Sequence, residues 1–183
     1  MAGQETHYTL PRPEFDKPVK LLLVVAPYYR DIADDLIAGA VAEIEAVGAG
    51  HDLVEVPGAL EIPPAVGMAE RLSNFDAYVA LGCVIRGETK HYETVCNDSS
   101  RGLMLLGLQG LCIGNGILTV ENRDQAVVRA DPGQQNKGGG AAAAALHLLA
   151  LARRWGGRQK PVGFVPATEE YRLAAGRDDP STA

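Results

Sequence analysis

The sequence predicts a three-layer α/β/α sandwich with a four-stranded parallel sheet at its centre. Short apolar runs alternate along most of the chain with longer segments of helical periodicity. Residues 19–26 form an apolar run that ends at Pro27, which is typical of a strand buried on both faces. Alternation of this kind indicates a parallel sheet with helices on both faces.

Glycine and proline set the limits of several elements. Gly48 and Gly50 end a helical stripe of apolar side chains over residues 31–47. Pro63 and Pro64 are tolerated in a helix only in its first turn, so we expect the second helix to begin at about Ile62. The predicted strands are residues 19–26, 52–56, 75–81 and 111–118. The predicted helices are residues 31–47, 62–72, 91–108, 121–129 and 137–155.

With 183 residues, the chain is long enough for one domain with its own core. We expect an N-terminal arm at residues 1–18, ordered only against another subunit, the domain at residues 19–155, and a mobile C-terminal tail at residues 156–183. Proline and glycine interrupt the strand and helix pattern at both ends.

Charge and hydropathy exclude several classes of partner. A net charge of −6 gives no electrostatic reason to expect nucleic acid or an anionic membrane. No apolar run has the length of about 20 residues that crosses a bilayer, and residues 1–18 lack the apolar core of a secretory signal. The expected location is therefore the cytoplasm.

The cysteines predict neither a metal site nor a disulfide framework. Cys83, Cys96 and Cys112 have no CxxC or zinc-type spacing, and buried free thiols are the favoured interpretation. Cys83 lies at the mouth of a loop, but no second histidine stands nearby in the sequence to activate it as a nucleophile. We expect no metal and no cofactor.

The strongest functional signal lies between the third predicted strand and the helix after it. Gly82 and Gly87 bracket this turn. Glycines there let the backbone take positive φ and approach a ligand closely, while free amides at the helix start favour an anion. His91 follows, where an imidazole could exchange protons with a ligand. The alternative is a tight turn with an incidental surface histidine.

The same turn nearly matches the phosphate loop of nucleotide hydrolases. That motif needs a lysine directly after its second glycine, and here the position is Glu88. Its charge would repel a triphosphate, which excludes ATP and GTP. The turn is still compatible with a small monophosphate held mainly by backbone amides. Ligands of parallel sheets bind at the carboxyl ends of the strands, where we expect four loops to meet: residues 26–30, 57–61, 82–89 and 115–121.

Four segments resemble motifs of the lumazine synthase family, in family order and spacing, within about residues 19–155. They read VPGALEIP at residues 56–63, LGCVIRGETKHY at 81–92, GILTVEN at 116–122 and NKG at 136–138. The resemblance implies a flavodoxin-like arrangement of the sheet. It also implies condensation of 5-amino-6-ribitylaminouracil with 3,4-dihydroxy-2-butanone 4-phosphate to 6,7-dimethyl-8-ribityllumazine, with loss of phosphate and water.

The resemblance also implies roles for individual residues. Tyr28 would stack on the pyrimidine ring, and His91 would be the general acid/base. The ribityl chain would bind at Ala59, Leu60 and Glu61, the pyrimidine edge at backbone groups of Cys83, Val84 and Ile85, and the phosphate at Gly87, Glu88 and Thr89. The alternative for Tyr28 is a surface aromatic side chain, but its place at the carboxyl end of a strand favours a ligand role.

Three further residues would reach the site from a neighbouring subunit in a ring of five, within a homo-oligomer of one pentamer or a multiple of pentamers. They are Arg129, which would grip the phosphate, Lys137, on the ribityl side, and Asn115, which stands where many members carry an aromatic residue. As a lone arginine near a helix end, Arg129 is also compatible with a surface charge that complements the helix dipole. Riboflavin synthase is an implied partner. The alternatives are a flavin- or lumazine-binding or scaffold protein without turnover, and the archaeal type of riboflavin synthase, which shares the fold.

Overall fold

The computed structural model describes residues 8–156, which form a four-stranded parallel sheet with helices on both faces. The strands are β1 (Lys20–Val25), β2 (Gly50–Glu55), β3 (Ala77–Ile85) and β4 (Ile113–Val120), in the order β2-β1-β3-β4. The helices are α1 (Arg30–Ala46), α2 (Ile62–Leu72), α3 (His91–Leu108), α4 (Arg123–Ala130) and α5 (Lys137–Gly156), with a 3-10 turn at Ala59–Glu61. The predicted fold class is confirmed.

Two apolar cores lie on opposite faces of the sheet. One packs beneath α1, α4 and α5, and the other beneath α2 and α3. The central strands β1 and β3 are buried on both faces, as a parallel sheet covered by two helical layers requires. The edge strand β4 instead alternates between buried and more exposed residues.

Helix boundaries follow the predictions more closely than strand boundaries. The limits predicted for α2 and α3 are confirmed, and Pro63 lies in the first turn of α2. The predicted end of the third strand is wrong, because β3 continues from Leu81 to Ile85 and pairs with β4 as far as Val120. The fourth strand is shifted in the same direction, to Ile113–Val120.

Part of the N-terminal arm lies against helices of its own chain. Arg12 makes two hydrogen bonds to Glu43 of α1, at 3.0 and 2.9 Å, and Phe15 packs beside the core under α1 and α5. Arg153 of α5 lies over the Phe15 ring and donates to the carbonyl groups of Lys17 and Pro18. This part of the arm is therefore held by its own chain, contrary to the expectation that only another subunit orders it.

The division into arm, domain and tail stays a prediction, since residues 157–183 lie outside the described residues. Gly156, assigned to the tail, is the last residue of α5. None of the helices within residues 8–156 combines the length and apolar character needed to cross a membrane.

Candidate functional site

A cleft of about 430 Å³ opens at the carboxyl ends of β1 and β3. Its walls come from four segments: the residues after β1, the turn before α2, the end of β3, and the loop leading into the first turns of α3. This is the place where open parallel sheets bind ligands.

Two adjacent tyrosines form the wall after β1. Tyr28 is 75% exposed, whereas Tyr29 is partly buried against the core under α1. Their rings meet edge to face with centroids 5.0 Å apart, so Tyr29 supports the ring of Tyr28. The exposed face of Tyr28 is thus available to a planar ligand at the cleft.

The turn before α2 forms the second wall. Pro57, Gly58, Ala59, Leu60 and Glu61 all line the cleft. The turn is short because the amide of Glu61 donates to the carbonyl of Gly58 at 3.2 Å, and α2 begins directly after it. The buried methyl group of Ala59 anchors the turn and leaves the Glu61 carboxylate exposed.

The end of β3 provides Cys83, Val84 and Ile85 to the cleft. The expectation that Gly82 and Cys83 lie in a loop is wrong, because both belong to β3 and pair with Ile117 and Leu118. Neither Gly82 nor Gly87 uses the positive φ that glycine permits, since among the described glycines only Gly48 and Gly110 have it. Gly82 is extended because the backbone of a central strand must continue its ladder of hydrogen bonds.

The side chain of Cys83 belongs to the core under α1 and α5. Burial raises the pKa of its thiol to about 11, with a smaller opposing effect from Arg123. The thiol is therefore protonated at neutral pH, which argues against a nucleophilic role.

The loop between β3 and α3 holds the free amides. Within the described residues, the amides of Gly87, Glu88 and Thr89 donate no hydrogen bond to the protein. They precede the first turn of α3, where the helix dipole favours negative charge. Gly87 and Thr89 line the cleft, while Glu88 is exposed and outside its lining.

His91 is the first residue of α3 and lines the cleft beside this loop. Its amide donates to the Thr89 hydroxyl oxygen at 3.4 Å, and its side chain is exposed. The helix begins at His91, as predicted. A proton-transfer group and unpaired amides therefore face one cavity.

Besides Glu88, three predicted site residues lie outside the cleft of their own chain. Asn115 is in the middle of the edge strand β4, within the predicted strand and not in the loop expected at residues 115–121. Its side-chain oxygen accepts from the Ile117 amide at 3.0 Å. Arg129 is in the last turn of α4, and Lys137 opens α5. The structure does not bring these residues together with His91, and their roles stay predictions.

Some cleft residues were not predicted as site residues. Besides Pro57 and Gly58, they are Ala26, Tyr29, Tyr92 and Val95. Tyr29, Gly58 and Tyr92 are each next to a predicted site residue, and Ala26 and Pro57 are each two residues from one. Val95 lies one helical turn from His91, so helical spacing would have found it. Within residues 8–156, no three His, Cys, Asp or Glu side chains are grouped so that they could hold a metal ion.

Comparison with known proteins places this chain in a family. The model of the 6,7-dimethyl-8-ribityllumazine synthase family matches residues 18–153. A protein of that name from Jannaschia sp. (strain CCS1) is 56% identical over 166 residues, which are 91% of this chain and 93% of the relative. Relatives of the same name from Novosphingobium aromaticivorans and Bartonella bacilliformis are each 54% identical, over 74% of this chain and 98% and 91% of their own lengths. The chain belongs to the 6,7-dimethyl-8-ribityllumazine synthase family.

Proposed function

We propose that this protein condenses 5-amino-6-ribitylaminouracil with 3,4-dihydroxy-2-butanone 4-phosphate to form 6,7-dimethyl-8-ribityllumazine in riboflavin biosynthesis. Phosphate and water are the other products. Family membership supports this transferase activity. The observation that carries it in this chain is that His91, the loop amides and the turn before α2 line one cleft.

The phosphate of the butanone is assigned to the loop after β3. The amides of Gly87 and Thr89 are unpaired within the described part of the chain, and they lie at the start of α3. Backbone amides and a helix dipole bind a dianion without a metal or a lysine. Glu88 contributes its amide, and its exposed carboxylate points away from the bound phosphate.

The ribitylaminouracil is assigned to the opposite part of the cleft. Its ring stacks on Tyr28, backbone groups of Cys83, Val84 and Ile85 bind its edge, and Ala59, Leu60 and Glu61 hold the ribityl chain. The Glu61 carboxylate is suited to accept hydrogen bonds from a polyol. With the two substrates bound on either side of it, His91 transfers protons during imine formation, phosphate elimination or ring closure.

The site is completed by a second copy of the chain in a homopentamer. Arg129, Lys137 and Asn115 lie outside the cleft of their own chain but are exposed or partly exposed, which supports a role toward a neighbouring cleft. A guanidinium binds phosphate through two hydrogen bonds, which suits Arg129 to the butanone phosphate. A cytoplasmic location and an association with riboflavin synthase are further proposals, which fractionation and co-purification would test.

A turnover assay with both substrates tests the function. We expect lumazine to form, with release of an equimolar amount of phosphate, only when both substrates are present. A protein that binds lumazine or riboflavin but forms no product from the two substrates would be a binding or scaffold protein. Formation of riboflavin from lumazine alone would instead indicate a riboflavin synthase. Mass in solution tests the pentamer.

A further inference from the structure

Arg86, the residue directly after β3, joins three parts of the fold. Its amide donates to the carbonyl of Val120, the last residue of β4, at 2.9 Å. Its side-chain Nε donates to Glu121 Oε2 at 2.6 Å, and its guanidinium lies over the Tyr92 ring, 4.2 Å from the centroid. Arg86 therefore connects the end of β4 with the first turn of α3.

The loop beyond Arg86 has few other attachments. Within the described residues, the amides of Gly87, Glu88 and Thr89 form no hydrogen bond, and no heavy atom lies within 4 Å of where a Cβ of Gly87 would stand. The contact between the His91 amide and Thr89 is internal to the loop and helix. The position of this loop relative to the sheet thus depends on its two ends, and Arg86 holds one end against the other.

The chemistry of the contact requires an arginine. A planar guanidinium can lie over an aromatic ring while its edge donates to a carboxylate, whereas an ammonium group acts as a single point charge. The Arg86 and Glu121 side chains are both substantially exposed, so their ion pair contributes little to global stability. Its consequence is local, since Tyr92 follows His91 directly and also lines the cleft.

We propose that Arg86 is a positioning residue, which fixes the phosphate-binding loop and His91 in one geometry through Glu121 and Tyr92. The inference rests on the proposed function, because the loop must hold the phosphate of the substrate on which His91 acts. Reacting groups tolerate little displacement, and a shift of about 1 Å can lower a rate on the order of 100-fold. Loosening the loop should therefore impair use of the butanone phosphate while leaving the uracil side of the cleft intact.

The test compares Arg86→Gln, Arg86→Lys and Glu121→Ala with Arg12→Gln, all in the assembled full-length protein. Arg12 is a matched control because it also forms an ion pair with a carboxylate, at 2.9 Å, on the surface and outside the cleft. We expect Arg86→Gln to raise the KM for the butanone phosphate, or lower kcat, on the order of 10-fold, with little change in the KM for the uracil. Arg86→Lys should recover only part of this loss, and Arg12→Gln should match the wild type.

Coupling between the partners provides a second readout. If Arg86 acts through Glu121, the double variant should be no worse than the more impaired single variant. Additive losses, equal rises in KM for both substrates, or wild-type kinetics of Arg86→Gln would overturn the proposal. If Arg86→Gln does not fold, Arg86→Lys and Glu121→Ala give the same comparison.

Failure of the proposed function would be recognised separately. If the wild type forms no lumazine, the proposed function is wrong. The role of Arg86 is then decided by the affinity of each variant for inorganic phosphate, measured by calorimetry. Weaker phosphate binding by Arg86→Gln than by the wild type and Arg12→Gln would still support Arg86 as the residue that positions the loop. Equal affinities of all three proteins for phosphate would overturn the proposal that Arg86 positions the loop.

Discussion

Gly138 of α5 lies directly against the backbone of Leu36 in α1. A Cβ atom at position 138 would fall 2.8 Å from the carbonyl carbon of Leu36 and nearer still to its oxygen. Because the obstruction is backbone, it cannot be relieved by rotating a side chain. This contact sets how closely α5 and α1 approach. Because Gly138 directly follows Lys137, the contact also fixes the position of the start of α5.

Gly138→Ala should therefore destabilise the protein by about 1–3 kcal/mol, the usual range for overpacking. Gly140→Ala is the matched control in the same helix, because a Cβ at position 140 would meet nothing within 4 Å. It should stabilise by about 0.5–1 kcal/mol, as alanine does in place of glycine in an exposed helix. Urea unfolding at equal protein concentration measures both. Equal effects of the two substitutions would contradict the close packing.

The sequence predicts the order and type of the elements because their signals are local. Pro63 and Pro64 can stand only in the first turn of a helix, and this local rule places the start of α2 correctly. The end of β3 depends instead on its partner. Gly82 suggests a turn in the sequence, but pairing with Ile117 on β4 keeps it extended, and such long-range pairing leaves no mark near Gly82.

The same difference between local and long-range signals applies to the candidate site. Residues within one motif, such as Gly87, Thr89 and His91, are brought to one cleft as expected. Asn115 falls in both the predicted strand at residues 111–118 and the predicted loop at residues 115–121. Its pairing with Ala80 on β3 places it in the strand. The contact of Arg86 with Glu121 joins two segments that are far apart in sequence, so no motif spacing predicts it.

Cys83→Ala should leave turnover within about 2-fold of the wild type. The thiol has a pKa of about 11 and faces the core, so it contributes no thiolate at neutral pH. Alanine should lower the free energy of unfolding by about 1 kcal/mol through lost burial. A loss of activity of about 100-fold, with folding intact by circular dichroism, would instead identify the thiol as a catalytic group.

The same substitution has a consequence at alkaline pH. The pKa of Cys83 is raised above its ordinary value of 9.0, so the folded state favours the neutral thiol. Its contribution to stability is present below pH 9 and is lost as pH rises toward 11. Unfolding curves of Cys83→Ala should therefore show a shallower loss of stability over this interval than the wild type. Parallel curves would mean that the thiol titrates normally in the folded protein.

His91→Ala should lower kcat by roughly 10-fold or more, within the range for losing one general acid/base, with smaller changes in substrate binding. The control is His147→Ala in α5, since His147 does not line the cleft. Steady-state rates at saturating concentrations of both substrates give the comparison. Unchanged kcat in His91→Ala would remove His91 from the mechanism.

Arg129→Ala should raise the KM for the butanone phosphate far more than that for the uracil. Loss of a charge-assisted contact with two hydrogen bonds costs on the order of 1.5–3 kcal/mol, or about 10- to 100-fold. Arg154→Ala, at an exposed position of α5, is the matched control. An equal rise for both substrates would show that Arg129 does not recognise the phosphate.

Mixed assemblies test whether Arg129 serves the cleft of another subunit. His91→Ala and Arg129→Ala subunits are each defective, but a mixed ring contains some interfaces where an intact His91 meets an intact Arg129. Co-assembly of the two variants should therefore restore part of the activity, in proportion to such interfaces. The control is a mixture in which assembly is prevented, which should show only the sum of the two residual activities. If assemblies shown by mass to be mixed recover no activity, His91 and Arg129 serve the cleft of the same chain. The two defects can complement each other only where one cleft takes His91 from one chain and Arg129 from another.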